Sequence, residues 1–389
     1  MKIKYSALPF LLLFFAISHT ILGQKQYVAA DTNNSDFANK ITLMFVGDIM
    51  QHMPQINSAK VGNDEYDYND CFKYVKPLLS DADFTIVNLE TTLAGKPYSG
   101  YPQFSAPDAI VPALINSGVD IISTANNHSC DKGAKGIKRT IAILDSLQVE
   151  RIGTYLDYGD KYDNHPLIIN KNDIKIALLN YTYGTNGLPV PNPHLVNLIH
   201  YDSIRNDIET AKLLRPDKII VYIHWGAEYQ LLPDSSQIKT AKFLFDNGVD
   251  IIIGSHPHVV QPMVWHKRNN INDRDNLVVW SLGNFVSNQR KINTDGGALV
   301  KIEIEKKGNL SYIKNANYYL TWVNIITDTN SKKYNILPSW YIDNDTVVDK
   351  NQKVAFELFL NNTRERLNNN NINISEGEII QQINYKNVH

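Results

Sequence analysis

Short apolar runs, each cut off abruptly by polar side chains, recur through the first three quarters of the chain. ITLMFVGDIM stops at Asp48, DFTIVNLETT at Asn88 and Glu90, and GVDIISTANNHS at Asn126, Asn127 and His128. KIALLNYTYGTN ends in Asn180 and two tyrosines, KIIVYIHWGAEY in His224, DIIIGSHPH in His256 and His258, and NLVVWSLGNF in Asn284. Runs this short, β-branched and without alternation suit strands buried on both faces, as in the interior of parallel sheets.

Helical periodicity fills the gaps. KGIKRTIAILDSLQV places Ile137, Ile141, Leu144 and Leu147 on one face. SSQIKTAKFLFDNG does the same with Ile238, Ala241, Leu244 and Phe245, begins behind capping residues and stops at Gly248. Residues 107–117 form a third candidate, with Asp108 near the start and Gly118 at the stop. The segments ALINSGVDIISTANNH and FLFDNGVDIIIGSHPH share one plan, which predicts two equivalent helix–strand units. Alternating strands and helices predict a layered α/β fold with mostly parallel strands, whose ligands sit beyond the carboxyl ends of the strands. His128, His224, His256 and His258, four of the eleven histidines, lie just past such ends. Neighbouring strands would bring these imidazoles to one rim.

The two ends of the chain differ from this middle. Lys2 and Lys4, the apolar stretch Ala7 to Ile17, and Gly23 before Gln24 read as a signal peptide over residues 1–23. The stretch is shorter than the ~20 apolar residues of a spanning helix. Export to the periplasm or cell surface is therefore expected, with the segment cleaved or, as the alternative, kept as an uncleaved anchor. Residues 24–40 are polar and read as a flexible leader, ahead of a main domain over 41–298. Past it, Val300, Ile302 and Ile304 alternate with Lys301, Glu303 and Glu305, which predicts antiparallel strands turning at Lys307-Gly308-Asn309. QKVAFELFLNNTRERL predicts a final amphipathic helix, and NNNNINIS a loose Asn-rich segment. Residues 299–389 are thus expected to form a small β-rich extension with a helix, packed on the main domain.

Composition narrows the chemistry. A hydrophobic fraction of 43 % permits a sizeable core. A formal net charge of −2 gives no basic face and excludes nucleic acid as a main partner. Cys71 and Cys130 are the whole cysteine complement, too few for a disulfide framework or a thiolate metal site. A metal would rest on His, Asp, Glu and Asn, a donor set that suits one or two divalent Mn, Fe or Zn ions. Two such ions about 4 Å apart can deprotonate a bridging water and hold both oxygens of an in-line displacement. A histidine off the metal can protonate a leaving group. Twenty-one tyrosines and five tryptophans suit sheet surfaces and polymer-facing clefts. Glu228, Tyr181 and Asn284 are the candidates to line such a cleft, with Tyr183 beside them.

In this order FVGDIM, VNLETTL, TANNHSCDKG, VYIHWGAEY, GSHPHVVQP and WSLGNF resemble the CapA-type capsule synthesis proteins linked to poly-γ-glutamate, a family similar to the calcineurin-like metallophosphoesterases. The resemblance covers residues 41–290. It implies a four-layer α/β/β/α sandwich with its site at the rim, and a bacterial cell-surface setting. It further implies a metal-dependent hydrolase of an anionic cell-surface polymer or a phosphorylated precursor. The alternative is a non-catalytic subunit that binds metal and polymer for a membrane polymer synthase or exporter. Carried over by position, Asp48 looks like the first-motif metal ligand, and Glu90 stands where phosphoesterases place a bridging Asp. Asn127 looks like a ligand of the second ion and His128 like the general acid. His224 and His256 would complete the second site, and His258 would return to the first. The first motif departs from Asp-x-His: Met50, a poor ligand for a hard ion, takes the last place, and His52 follows at a different spacing.

Overall fold

The run from Ile41 to Met50 is buried at every position, and the strand Asn39–Ile49 that it forms is central to its sheet. The computed structural model describes residues 27–28, 39–268, 274–328 and 331–378, so the expected signal segment lies outside the described residues. Asn39–Ile49 pairs in parallel with Phe84–Leu89, followed by Ile121–Ser123 and Glu150–Ile152. On its other side it pairs antiparallel with Gly296–Lys307, followed by Leu310–Asp328 and Ser331–Pro338. A second sheet centres on three parallel strands, Ile174–Thr182, Lys218–His224 and Ile251–Ser255. Antiparallel Leu167–Lys171 and parallel Asn276–Val279 flank these three.

Side-chain alternation turns these sheets into layers. Leu43, Phe45, Ile86 and Ile121 share one core with Leu178, Ile220, Tyr222 and Ile253 of the opposite sheet. Met44, Val46, Val87 and Ile122 face away, onto helical Phe72, Ile110, Leu114 and Leu144. Leu179, Val221 and Ile252 face away on the far side, onto helical Ile204, Ile208 and Leu244. The result is the four-layer α/β/β/α sandwich, and the Tyr222 hydroxyl ties its two sheets by donating to the Val46 carbonyl at 2.6 Å.

One device sets the parallel registers. An aspartate just before four of the strands accepts from a backbone N–H of the strand that precedes it in the sheet. The pairs are Asp83 with Thr42 (2.7 Å), Asp120 with Thr85 (2.8 Å), Asp217 with Lys175 (2.8 Å) and Asp250 with Ile219 (2.9 Å). The two look-alike segments therefore occupy equivalent places, one in each sheet. With the entry ends pinned, the exit ends fall level with one another. Backbone crowding completes this: a Cβ at Gly47 would meet the Gly283 carbonyl oxygen at 2.1 Å, so only glycine lets Asp48 N–H donate to that oxygen at 3.0 Å.

Several expectations change. The boundary at 298/299 falls inside Gly296–Lys307, which pairs with Asn39–Ile49 from Leu299 to Lys306. The C-terminal strands thus extend the main sheet, because Val300, Ile302 and Ile304 bury against the opposite sheet. The turn falls at Gly308 as expected, with φ +61°. The helix Lys350–Asn370 runs into the Asn-rich segment, and that segment is tied down. Asn371 accepts from Met263 N–H at 2.8 Å and Asn373 donates to the Trp265 carbonyl at 2.9 Å. Of the expected leader, Tyr27–Val28 pair with Ile169 and Asn170 at a sheet edge. Helix Ser235–Asp246 buries Gln237, Thr240, Ala241 and Leu244, while Ile238 is exposed. The Gln237 amide completes a capping box with Asp234 and bonds Gln261, which rotates the polar face inward. Helix Gly133–Ser146 ends one residue before Leu147, which stays exposed.

Candidate metal centre

Five strand exits deliver their polar residues to one place. Asp48 closes Asn39–Ile49, Glu90 follows Phe84–Leu89, and Asn127 and His128 follow Ile121–Ser123. His224 ends Lys218–His224, and His256 and His258 follow Ile251–Ser255. The last two adopt φ of +99° and +58°. Non-glycine residues reach this region at a cost of roughly 1–3 kcal/mol each, sustained only where the surroundings over-determine them. Here His256 N–H donates to Asp48 Oδ2 (3.3 Å), and the Pro257 carbonyl accepts from Tyr229 N–H (2.8 Å).

Ligand-type atoms of Glu90, His224 and His256 lie within 4.8 Å of one another, as do those of Asp48, Glu90 and His258. Glu90 belongs to both sets. Asn127 Oδ1 is 3.1 Å and Glu90 Oε1 3.6 Å from His224 Nε2. His258 Nε2 is 3.9 Å from Glu90 Oε1. Donors about 2.1 Å from one ion stand roughly 3.0–3.4 Å apart, so the first set is close to coordinating separation. Exposed Glu228 forms a third set with His256 and His258.

The electrostatics suit a cation. Glu90 is fully buried, and neither carboxylate oxygen has a hydrogen-bond partner. Burial, then Asp48, Glu228 and Asp131, push its carboxyl well above the usual range. Burial, then the neighbouring imidazoles, push His224 and His256 well below theirs. Neutral imidazoles around an orphaned buried carboxyl group present lone pairs with no protein donor to answer them. His256 Nδ1 is likewise buried without a partner. The N/O donor set fits a divalent transition ion.

Supporting contacts aim these groups. His224 Nδ1 lies 2.9 Å from Ser255 Oγ, which leaves Nε2 for the centre. Asn88 Nδ2 donates to Asp48 Oδ1 at 2.8 Å. Asn126 donates to the Leu89 carbonyl and Asn88 Oδ1, so the first asparagine of the pair is scaffold while Asn127 faces the imidazoles. Asn284, expected to contact substrate, instead sits behind His258 and accepts from its Nδ1 at 3.0 Å. Its amide donates to Gln289 and the Thr294 carbonyl, which fixes its orientation.

Tyr181 is a second relocation. It is buried, its hydroxyl donates to Asp207 Oδ2 at 3.0 Å, and its ring packs in the outer core. Strand alternation sends it toward the helices. Tyr183, just beyond the strand, takes the place beside the centre. Its ring is 4.5 Å from that of His256 and stacks on His224 at 6.4 Å. Beside it opens a cleft of about 500 Å³ lined by His200, Tyr201, Trp225 and Thr240. Met50 is buried, and His52 belongs to none of the three sets. Burial lowers His52 to about 4. The Asp48 set is therefore carried by one imidazole.

His128 is a different kind of imidazole. Its Nδ1–H donates to buried Asp131 Oδ2 at 2.8 Å, Phe104 packs edge-on at 4.6 Å, and Nε2 points to within 4.0 Å of Glu90. A carboxylate behind Nδ1 fixes the tautomer and supports the imidazolium, as a proton donor requires. Asp131 was the functional residue that strand-exit reasoning missed, although it lies three places on in the same TANNHSCDKG stretch.

Known proteins bear on this geometry. The family described as "Bacterial capsule synthesis protein PGA_cap" matches residues 42–289. The capsule biosynthesis protein CapA of Bacillus anthracis is 29 % identical over 284 residues, 69 % of this chain and 65 % of its own length. The PGA biosynthesis protein CapA of Bacillus subtilis is 27 % identical over 288 residues, 69 % of each chain. Among solved structures, the calcineurin-like phosphoesterase YfkN from Bacillus subtilis is similar at a TM-score of 0.42 and 15 % identity, over 84 % of this chain and 98 % of its own. At that similarity no function is carried across. With its motifs in order over residues 42–289, the chain belongs to the bacterial PGA_cap capsule synthesis family.

Proposed function

We propose that this chain is an exported, metal-dependent hydrolase that acts on an anionic cell-surface polymer or its phosphorylated precursor during capsule synthesis. The observation that carries this reading is the buried Glu90 carboxylate, unpartnered and shared between the His224/His256 and Asp48/His258 sets. Asp48, Glu90, Asn127, His224, His256 and His258 would hold one or two divalent ions. An ion held there supplies an acidified water and polarises an oxygen of the substrate. The rest falls to the chain itself. His128, backed by Asp131, gives its Nε2 proton to the leaving group. Tyr183 and the adjoining cleft hold the polymer on one side, and exposed Glu228 stands beside His256 and His258. The names of the Bacillus relatives, a capsule and a PGA biosynthesis protein, support the capsule setting.

The second reading, a non-catalytic metal- and polymer-binding subunit of a membrane synthase or exporter, is favoured by one feature. Met50 leaves the Asp48 set with a single imidazole. Turnover separates the two. Metal-loaded chain is assayed on a phosphodiester and on a γ-glutamyl oligomer, beside His256→Ala. Hydrolysis of either, lost in the variant, is expected. Bound metal with no turnover on any substrate class would leave the binding role.

A further inference from the structure

We infer that Lys291 is the specificity residue of this centre. It receives a second negative charge of the substrate, one repeat away from the group held at the histidines. The inference rests on the proposed reading of the centre as a polymer-handling site.

The segment that carries Lys291 is built onto the centre. Asn284, which orients His258, donates to Gln289 Oε1 at 3.0 Å and to the Thr294 carbonyl at 2.8 Å. The Lys291 carbonyl accepts from both N–H and Oγ1 of Thr294, so the base of its side chain is fixed. Neighbouring Arg290 is engaged, donating to the Val323 carbonyl at 3.0 Å. Lys291 stays exposed and places its ammonium 3.9 Å from the centre of the Tyr229 ring. That ring is 6.2 Å from the ring of His258. The ammonium therefore lies within about 10 Å of a histidine at the heart of the site.

Two further observations point outward, to a ligand. Among the described residues no carboxylate lies within ion-pair distance of Lys291, in contrast to Lys40, Lys171 and Lys301, which pair with Glu303, Asp83 and Asp81. Tyr229 holds its own hydroxyl toward Glu228, and burial first, then Glu228, push the phenol up to about 12, so the ring face alone is left for the ammonium. A cation stacked on a ring keeps its outer face available to an anion. Monoanionic substrates have nothing to offer it. A γ-linked glutamyl chain places successive carboxylates roughly 6–7 Å apart when extended, by ordinary bond lengths, which spans from the histidines toward Lys291. A phosphate oligomer has comparable reach, and the chemistry shared by both is a repeated negative charge.

The test uses the full chain, loaded with manganese. Binding of a dye-labelled γ-glutamyl hexamer, and separately of a linear phosphate hexamer, is followed by anisotropy for wild type, Lys291→Ala and Lys291→Arg. Bound metal is counted in each. Loss of one charged contact should raise Kd about tenfold for at least one hexamer in Lys291→Ala, with Lys291→Arg close to wild type and metal content unchanged. The hexamer that loses affinity identifies the anion as carboxylate or phosphate. Equal Kd values for both hexamers, or a loss of affinity that tracks loss of metal, would overturn the inference. Absence of turnover would count against the hydrolase reading and leave this binding difference where it stands.

Discussion

Replacing Glu90 by Gln keeps the shape of the buried side chain and removes its charge, and the consequence depends on whether metal is present. Without metal, burial and Asp48 raise the folded-state pKa of Glu90 above its unfolded value. The folded protein then binds more protons than the unfolded one once pH exceeds the ordinary carboxylate range. Stability contributed by the protonated form is complete below the unfolded pKa and declines as pH rises toward the folded one. One proton corresponds to about 1.4 kcal/mol per pH unit over that window. An unfolding entropy of about 2.1 cal/mol/K per residue gives roughly 0.8 kcal/mol per degree for a chain of 389 residues. In chelator, Glu90→Gln should therefore melt above wild type, with the gap widening by up to about 2 °C per pH unit above pH 5. With manganese at a hundredfold of Kd, wild type should gain about 2.7 kcal/mol, or roughly 3 °C, and the variant less. Thermal denaturation at several pH values, with chelator and with manganese, reads both effects. A gap that ignores pH in chelator, together with equal gains from manganese, would refute the assignment of Glu90 as the shared ligand.

Three further outcomes are expected. Asp131→Asn should lower kcat about 10²- to 10³-fold on any hydrolysed substrate, with KM and metal content unchanged; retained kcat would remove His128 as proton donor. Asn284→Ala should weaken metal binding about 10- to 100-fold in chelator competition, since it frees His258 Nδ1; unaltered affinity would remove Asn284 as the residue that orients His258. Gly47→Ala forces a methyl group against the Gly283 carbonyl and should cost about 1–3 kcal/mol in urea denaturation while lowering metal content, and a silent substitution would contradict the close approach.

The sequence made the layered fold and most of the centre legible because buried runs with polar exits are a local pattern. His224, His256 and His258 could be placed from that pattern alone, since a parallel sheet must align its exits. What escaped the local pattern was side-chain direction. Only the resemblance separated Asn127, which faces His224, from Asn126, which bonds Asn88. Tyr181 and Tyr183 sit two places apart, yet one faces Asp207 and the other His256. Asn284 and Asp131 act through another residue, and such partners leave no spacing signal of their own. The C-terminal strands read correctly as antiparallel, but their partner, Asn39–Ile49, lies some 250 positions away in the chain, beyond any periodicity.

The central claim is that these exits share bound ions. Elemental analysis of gently purified wild-type protein should count one or two equivalents of a divalent transition metal per chain, falling on His256→Ala. A chain that holds none, even after reconstitution with manganese, iron and zinc in turn, would contradict it.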